Sequence, residues 1–321
     1  MSNPFIIATR GSALALAQAN MILAQCRAAF PAQDFELRIV KTTGDKLQAE
    51  SSAEVDLPKG LFTKELEVAL LEGKADLAVH SLKDLPTELP PGLVLGAVTE
   101  RADVRDVVVY RAGSATMKGV ADLPMGSVVA TSSPRRKVQL LGRNPRIDVV
   151  PIRGNVPTRL RKLAEQTDIH ALVLAMAGLK RLGYSFDSTG SITTLSGPEV
   201  PGGLAILTLS LDDMLPCVGQ GALGIEIRDG DNRAKQICAA LNDAESESCT
   251  LAERAFLRAM GGGCQAPVAA YAQLTGGNIH LRAVSFESGQ AVYAERSGPK
   301  STCDAIGAAA AAELKASSPS V

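Results

Sequence analysis

Four short apolar runs in this chain each end in a cluster of hydroxyls and cations. Thr9-Arg10-Gly11-Ser12 follows Phe5 to Ala8, and Ser81-Leu82-Lys83-Asp84 follows Asp76 to His80. Thr131-Ser132-Ser133-Pro134-Arg135-Arg136 follows Ser127 to Ala130, and Arg153-Gly154-Asn155 follows Ile147 to Ile152, with Arg159 a helical turn further on. Arginine grips carboxylates in a planar fork, and helix N-termini present amides to anions. In open α/β sheets ligands collect beyond the carboxyl ends of strands. The chemistry these residues suit is therefore recognition of a small polyanion, with a polycarboxylate the natural choice.

Asp84 is the one acid in these clusters. Taken alone it reads as a helix cap or as a partner for Lys83. Among so many cations, a lone carboxylate is also well placed to steady a transient positive charge. Cys264 stands between Gly261-Gly262-Gly263 and Gln265-Ala266-Pro267, on a loop with little bulk to hide it. It reads either as an ordinary loop cysteine or as an accessible nucleophile. Cys26 and Cys238 lie in helical apolar patterns and read as core.

The elements needed to hold these clusters follow from the pattern. Phe5 to Ala8 reads as a strand, with Ser12 capping the helix after it. Strands are expected at Leu37 to Lys41 and Asp76 to His80, with a helix from Phe62 to Glu72 between them. The order repeats with strands at Arg105 to Arg111, Ser127 to Ala130, Ile147 to Ile152 and Ala171 to Ala175, and helices from Thr158 and around Leu179. This implies two α/β lobes with mostly parallel sheets. Tyr184 to Gly203, polar and rich in Gly and Ser, reads as a surface insertion. Gly219-Gln220-Gly221 marks a crossover between the halves. A helix from about Cys249 to Met260, a hairpin about Gly276-Gly277 and an Ala-rich helix from near Ser301 make a small α+β domain. The expected divisions are residues 1–103 with 222–243, 104–221, and 244–321.

Composition narrows the function. The 321 residues carry a net charge of −1, with 3% aromatic residues and no Trp, so neither a basic field nor stacking platforms favour nucleic acid. No apolar run is long enough to span a bilayer, and the N-terminus does not read as a signal peptide. A cytoplasmic protein with no membrane partner and free thiols is expected. Three histidines and no metal-ligand cysteine spacing argue against a metal site.

The clusters sit in longer strings that resemble the hydroxymethylbilane synthase (porphobilinogen deaminase) family. These are Ala8-Thr9-Arg10-Gly11-Ser12, Lys59-Gly60-Leu61-Phe62-Thr63-Lys64-Glu65-Leu66-Glu67, His80-Ser81-Leu82-Lys83-Asp84-Leu85-Pro86, Thr131-Ser132-Ser133-Pro134-Arg135-Arg136 and Arg153-Gly154-Asn155-Val156. Ala177-Gly178-Leu179-Lys180-Arg181-Leu182, Val218-Gly219-Gln220-Gly221-Ala222 and Gly262-Gly263-Cys264-Gln265-Ala266-Pro267 complete the series. The match runs in order through nearly the whole chain.

The resemblance implies two lobes like those of type II periplasmic solute-binding proteins, plus the small C-terminal domain. It implies a dipyrromethane cofactor joined by a thioether to Cys264. Four molecules of porphobilinogen, a pyrrole bearing an acetate and a propionate, are then condensed head to tail with loss of ammonia, and water releases the linear tetrapyrrole. By matching position Asp84 is the catalytic carboxylate. Arg10, Ser12, Lys83, Thr131, Ser133, Arg135, Arg136, Arg153, Arg159 and Arg181 hold cofactor and substrate carboxylates. Lys59, Phe62, Ser81 and Gln220 are further cleft or loop candidates. No metal is implied, and the working form is a monomer. The chain departs from the family at Val55-Asp56-Leu57-Pro58, at Pro134 and in the length of Tyr184 to Gly203. A dicarboxylate-binding module and a thiol-dependent hydrolase are the competing readings. The extra cysteine-bearing domain counts against the first, and the lack of a placed histidine against the second.

Overall fold

The computed structural model describes residues 4–44, 63–112, 117–187, 190–194, 198–199, 201–262 and 266–317. Lys59, Phe62 and Cys264, and the loop from Lys46 to Pro58, lie outside them.

The first lobe begins with β1 (Phe5–Arg10), α1 (Ala13–Ala29), β2 (Phe35–Val40), α2 (Lys64–Leu71), β3 (Leu77–Ser81) and β4 (Leu93–Val98). The chain then crosses to the second lobe. That lobe holds β5 (Asp106–Arg111), β6 (Val128–Ala130), α3 (Pro134–Arg143), β7 (Asp148–Val150), α4 (Val156–Glu165), β8 (Ala171–Ala175) and α5 (Met176–Arg181). After β9 (Tyr184–Phe186), β10 (Ile192–Thr194) and β11 (Leu204–Thr208), the chain returns to the first lobe as β12 (Leu223–Arg228) and α6 (Asn232–Leu241).

The two five-stranded sheets share one plan. Their orders are β2-β1-β3-β12-β4 and β7-β6-β8-β5-β11. In each sheet two neighbouring pairs are parallel and two antiparallel, so the sheets are mixed rather than mostly parallel. The reason is connectivity. β12 and β5 arrive from the opposite lobe and start where β3 and β8 finish, so each must run against its neighbour. The sequence reading assigns no strand at β4, β11 or β12. In β12 a buried Glu226 interrupts the apolar pattern that would have marked it.

Both faces of each sheet are covered, which is why the strands are short apolar runs. Phe5, Ile7, Leu77 and Ile225 pack with Ile22 of α1 and Ile237 of α6, while Ala8 and Ala78 meet Leu66 and Leu70 of α2 on the other face. The segment expected as a surface insertion is instead partly structured. β9 and β10 pair as an antiparallel hairpin, with Tyr184 in the second lobe's core and Phe186 and Ile192 packed against it. Tyr184 and Phe186, two apart on a strand, put rings on one face, and that face is buried.

The C-terminal unit is the antiparallel sheet β13 (Val268–Thr275), β14 (Asn278–Ser285) and β15 (Val292–Pro299), covered by α7 (Ala244–Met260) and α8 (Cys303–Ser317). Gly276 and Gly277 both take positive φ between the paired Thr275 and Asn278, as a two-residue hairpin turn requires. Helix α7 starts five residues before the expected point because the Asp243 carboxylate accepts from the Ser246 amide. It ends at Gly261, in left-handed conformation, two residues before the undescribed stretch that holds Cys264. No described helix is long and apolar enough to cross a membrane.

Candidate active site

The predicted strand ends meet at a cleft of about 290 Å³ between the lobes, beside the two crossovers. Arg10, Ser12, Ser81, Lys83 and Asp84 line it from the first lobe. Arg136, Arg159 and Arg181 line it from the second, and Gln220 from the return crossover. Thr131, Ser133, Arg135 and Arg153 do not line it. A larger cavity, about 520 Å³, lies between the first crossover and the C-terminal unit. Its arginines are already matched, Arg101 to Glu253 and Arg105 to Asp103. In the smaller cleft, Arg159 and Arg181 have no carboxylate partner among the described residues.

Local rules set each side chain. Ser12 caps α1, accepting from the Ala15 amide. Ser133 caps α3 by accepting from the Arg136 amide, and the Ser133 amide in turn donates to Thr131 Oγ1 (3.2 Å). These hydroxyls therefore shape the helix starts. Asn155 caps α4, and Arg159 Nε, one turn on, donates to Gly154 O (2.7 Å). Gln18 Nε2, which the sequence did not single out, donates to Ser81 Oγ (2.8 Å).

Asp84 ends a 3₁₀ turn, Leu82–Asp84, at the cleft end of β3. The Leu82 amide donates to Ala222 O (3.1 Å), and Leu85 N closes the turn onto Leu82 O (3.2 Å). The Asp84 carboxylate is exposed and bonds no described residue. Gly219 must be glycine here. Its φ is +72°, and a Cβ would stand 3.2 Å from the Lys83 amide.

A second aspartate, Asp106, organises the other wall. It is fully buried and takes Arg135 Nη2 and Arg136 Nη2 (2.8 Å each) and Gln220 Nε2 (2.9 Å). Burial alone would raise its pKa, but the two guanidiniums and the amide hold the carboxyl far below the usual range. Arg135 is turned into this cluster, its Nη1 on Leu215 O (2.6 Å). Gln220 also donates to Val104 O (2.7 Å) and receives Lys83 Nζ at 3.4 Å, so it links both crossovers to the Lys83-Asp84 turn. The sequence reading missed Asp106. The signal was a carboxylate opening the apolar strand Val107-Val108-Val109, where only a buried cation could tolerate it.

The Arg159 and Arg181 guanidiniums have backbone carbonyls but no carboxylate as partners among the described residues. Burial, then Arg136 and Arg153 nearby, bring the Arg159 pKa down to about 10; burial alone does the same for Arg181. The Nε atoms of Arg136 and Arg181 are buried with no hydrogen-bond partner among the described residues. Arg181 Nη2 is on Gly221 O (2.6 Å). Orphan buried donors are rare and costly, so this is a site built to receive acceptors. Among the described residues no group of acids, histidines and cysteines could hold a metal ion.

Comparison with known proteins agrees with this chemistry. Residues 5–236 match the family model described as porphobilinogen deaminase, dipyromethane cofactor binding domain, and residues 248–316 match the porphobilinogen deaminase C-terminal domain. Similar curated proteins include porphobilinogen deaminases of Gloeobacter violaceus (44% identical, covering 98% of this chain and 92% of that one) and Bordetella parapertussis (45%, covering 97% and 92%). That of Chloroherpeton thalassium is 45% identical, covering 88% of this chain and 82% of its own. With two domain models in the right order and relatives spanning nearly its full length, the chain belongs to the porphobilinogen deaminase family.

Proposed function

We propose that this cleft performs the family's reaction, the stepwise condensation of porphobilinogen with loss of ammonia, with Asp84 as the catalytic carboxylate and Cys264 as the cofactor anchor. The observation that carries the reading is an exposed, unpartnered carboxylate facing desolvated guanidiniums in one cleft. The orphan Nε atoms of Arg136 and Arg181 suit a dipyrromethane, whose acetates and propionates bring the missing acceptors. When bound, that group supplies the free pyrrole α-carbon from which the product grows.

The chain's own residues divide the remaining work. Arg10, Arg136, Arg159 and Arg181 bind and orient the acidic side chains, each charge-assisted bond contributing on the order of 1.5–3 kcal/mol. Lys83, Ser12 and Ser81 complete the first lobe's wall. Thr131 and Ser133 shape the start of α3, Arg135 holds Asp106 in place, and Arg153 adds to the positive field around Arg159. Asp84 accepts the pyrrole N–H of the incoming porphobilinogen. As ammonia leaves, its carboxylate balances the positive charge on that ring, and it then takes up the proton released when the new bond forms. A thiolate at Cys264 is a fitting nucleophile for the same electrophilic carbon. We take the three divisions expected from the sequence as domains and a cytoplasmic monomer as the working form. Membership of the sheets supports the former.

Intact mass tests the anchor. The purified protein should exceed its polypeptide by two porphobilinogen units less two ammonias, and Cys264→Ser should not. The same excess on the serine variant would rule out Cys264 as the attachment point.

A further inference from the structure

An exposed carboxylate with no side-chain partner takes its position from its backbone. For Asp84 the preceding end is fixed by Leu82 N on Ala222 O, within the first lobe's sheet. The following end is fixed from another domain. Arg254 of α7, itself buried, donates through Nη1 to Leu85 O (3.0 Å) and through Nη2 to Pro86 O (2.6 Å). These are the two carbonyls directly after Asp84. The planar fork engages both at once, which restricts rotation of the turn as well as its translation.

The neighbouring residue does comparable work at the hinge. Glu253 is fully buried and accepts from Arg101 Nη1 (2.6 Å), on the outgoing crossover, and from the Gly219 amide (2.8 Å), on the return crossover. It also accepts from Ala272 N (2.8 Å) in its own domain's sheet. Helix α7 thus grips the catalytic turn and both crossovers through adjacent side chains, and its C-terminal end leads to Cys264.

We infer that Arg254 is a positioning residue for Asp84, through which the cysteine-bearing domain sets where the catalytic carboxylate stands. This rests on the catalytic reading of Asp84 above. Arg254 touches no reacting atom; it acts by holding the Leu85 and Pro86 carbonyls. A residue that merely docks the third domain would affect stability and leave the chemistry of folded, loaded enzyme alone.

The test uses full-length, cofactor-loaded protein, verified by intact mass, in a double-mutant cycle. Arg254→Met is expected to lower kcat roughly 10–100-fold with KM within about twofold, the signature of a misplaced catalytic group. In the Asp84→Asn background the same change should have no further effect. Arg254→Lys, charged but without the fork, should fall between Met and parent. Parent-like kcat for Arg254→Met, or an equal loss in both backgrounds, overturns the inference. If the Met variant does not yield folded, loaded protein, the Lys variant decides. Reduced kcat that disappears in the Asp84→Asn background supports the inference, and any other result overturns it. Near-parent turnover by Asp84→Asn alone would overturn the catalytic reading itself. A slow Asp84→Asn enzyme beside a parent-like Arg254 variant would overturn only the positioning role.

Discussion

Asp84 lines the cleft and Asp106 lies buried behind its opposite wall, each at the cleft end of a strand, with Gln220 bonded both to Asp106 and to Lys83 beside Asp84. One is exposed and bonds no described residue; the other is fully buried and saturated by two arginines and an amide. The residue type is the same and the surroundings assign the work. A carboxylate whose acceptors are all occupied can hold cations in place but cannot follow a charge that appears during a reaction. A carboxylate left open can.

The most direct way to break the contrast is to neutralise each in turn. Asp84→Asn should reduce ammonia release by about 10²–10⁴-fold, the range for a group that handles protons and charge. Its thermal midpoint should barely move, because the carboxylate supports no packing. Turnover close to the parent would remove Asp84 from the chemistry.

Asp106→Asn should do the reverse, destabilising the fold by about 3–5 kcal/mol in urea unfolding, since it strands two buried guanidiniums. Here pH sharpens the comparison. The folded pKa of Asp106 lies below that of the unfolded chain, about 3.9. Its contribution is therefore present above that pH and is lost as pH falls toward the folded value. Below about pH 4, the parent's melting temperature should drop more steeply than that of the asparagine variant. Parallel acid limbs would mean that Asp106 does not carry this load.

The smallest effect belongs to the unmatched arginines. Arg181→Leu should raise KM about 10–100-fold, equivalent to one charge-assisted bond. It should not lower the melting temperature, because it relieves a desolvated cation, and Gly221 O keeps the Ala102 amide as donor. A destabilised variant with unchanged KM would make Arg181 a structural residue like Arg135.

Local chemistry written in short stretches was legible without coordinates. Ser12 capping a helix, the hairpin at Gly276-Gly277 and the stop at Gly261 depend on neighbours a few residues away. So do the cation-bearing ends of β1, β3, β6 and β7, and the ordered motifs carry family membership. Contacts across long separations were not legible. Arg135 and Arg136 look identical on paper, yet one faces the Asp106 cluster and the other also reaches the cleft, because helix geometry turns adjacent side chains about 100° apart. Glu253 and Arg254 sit at core positions of an otherwise apolar helix face, beside Cys249, Ala252, Phe256 and Leu257. That misfit is visible in the sequence, but their partners lie more than 150 residues earlier for Arg101, Leu85 and Pro86. The sequence by itself determined many of the local elements, the cleft's positive charge and the family. The tertiary structure alone decided which charges are paired and which are left for a ligand, because burial and partnership depend on what folding brings within about 3 Å.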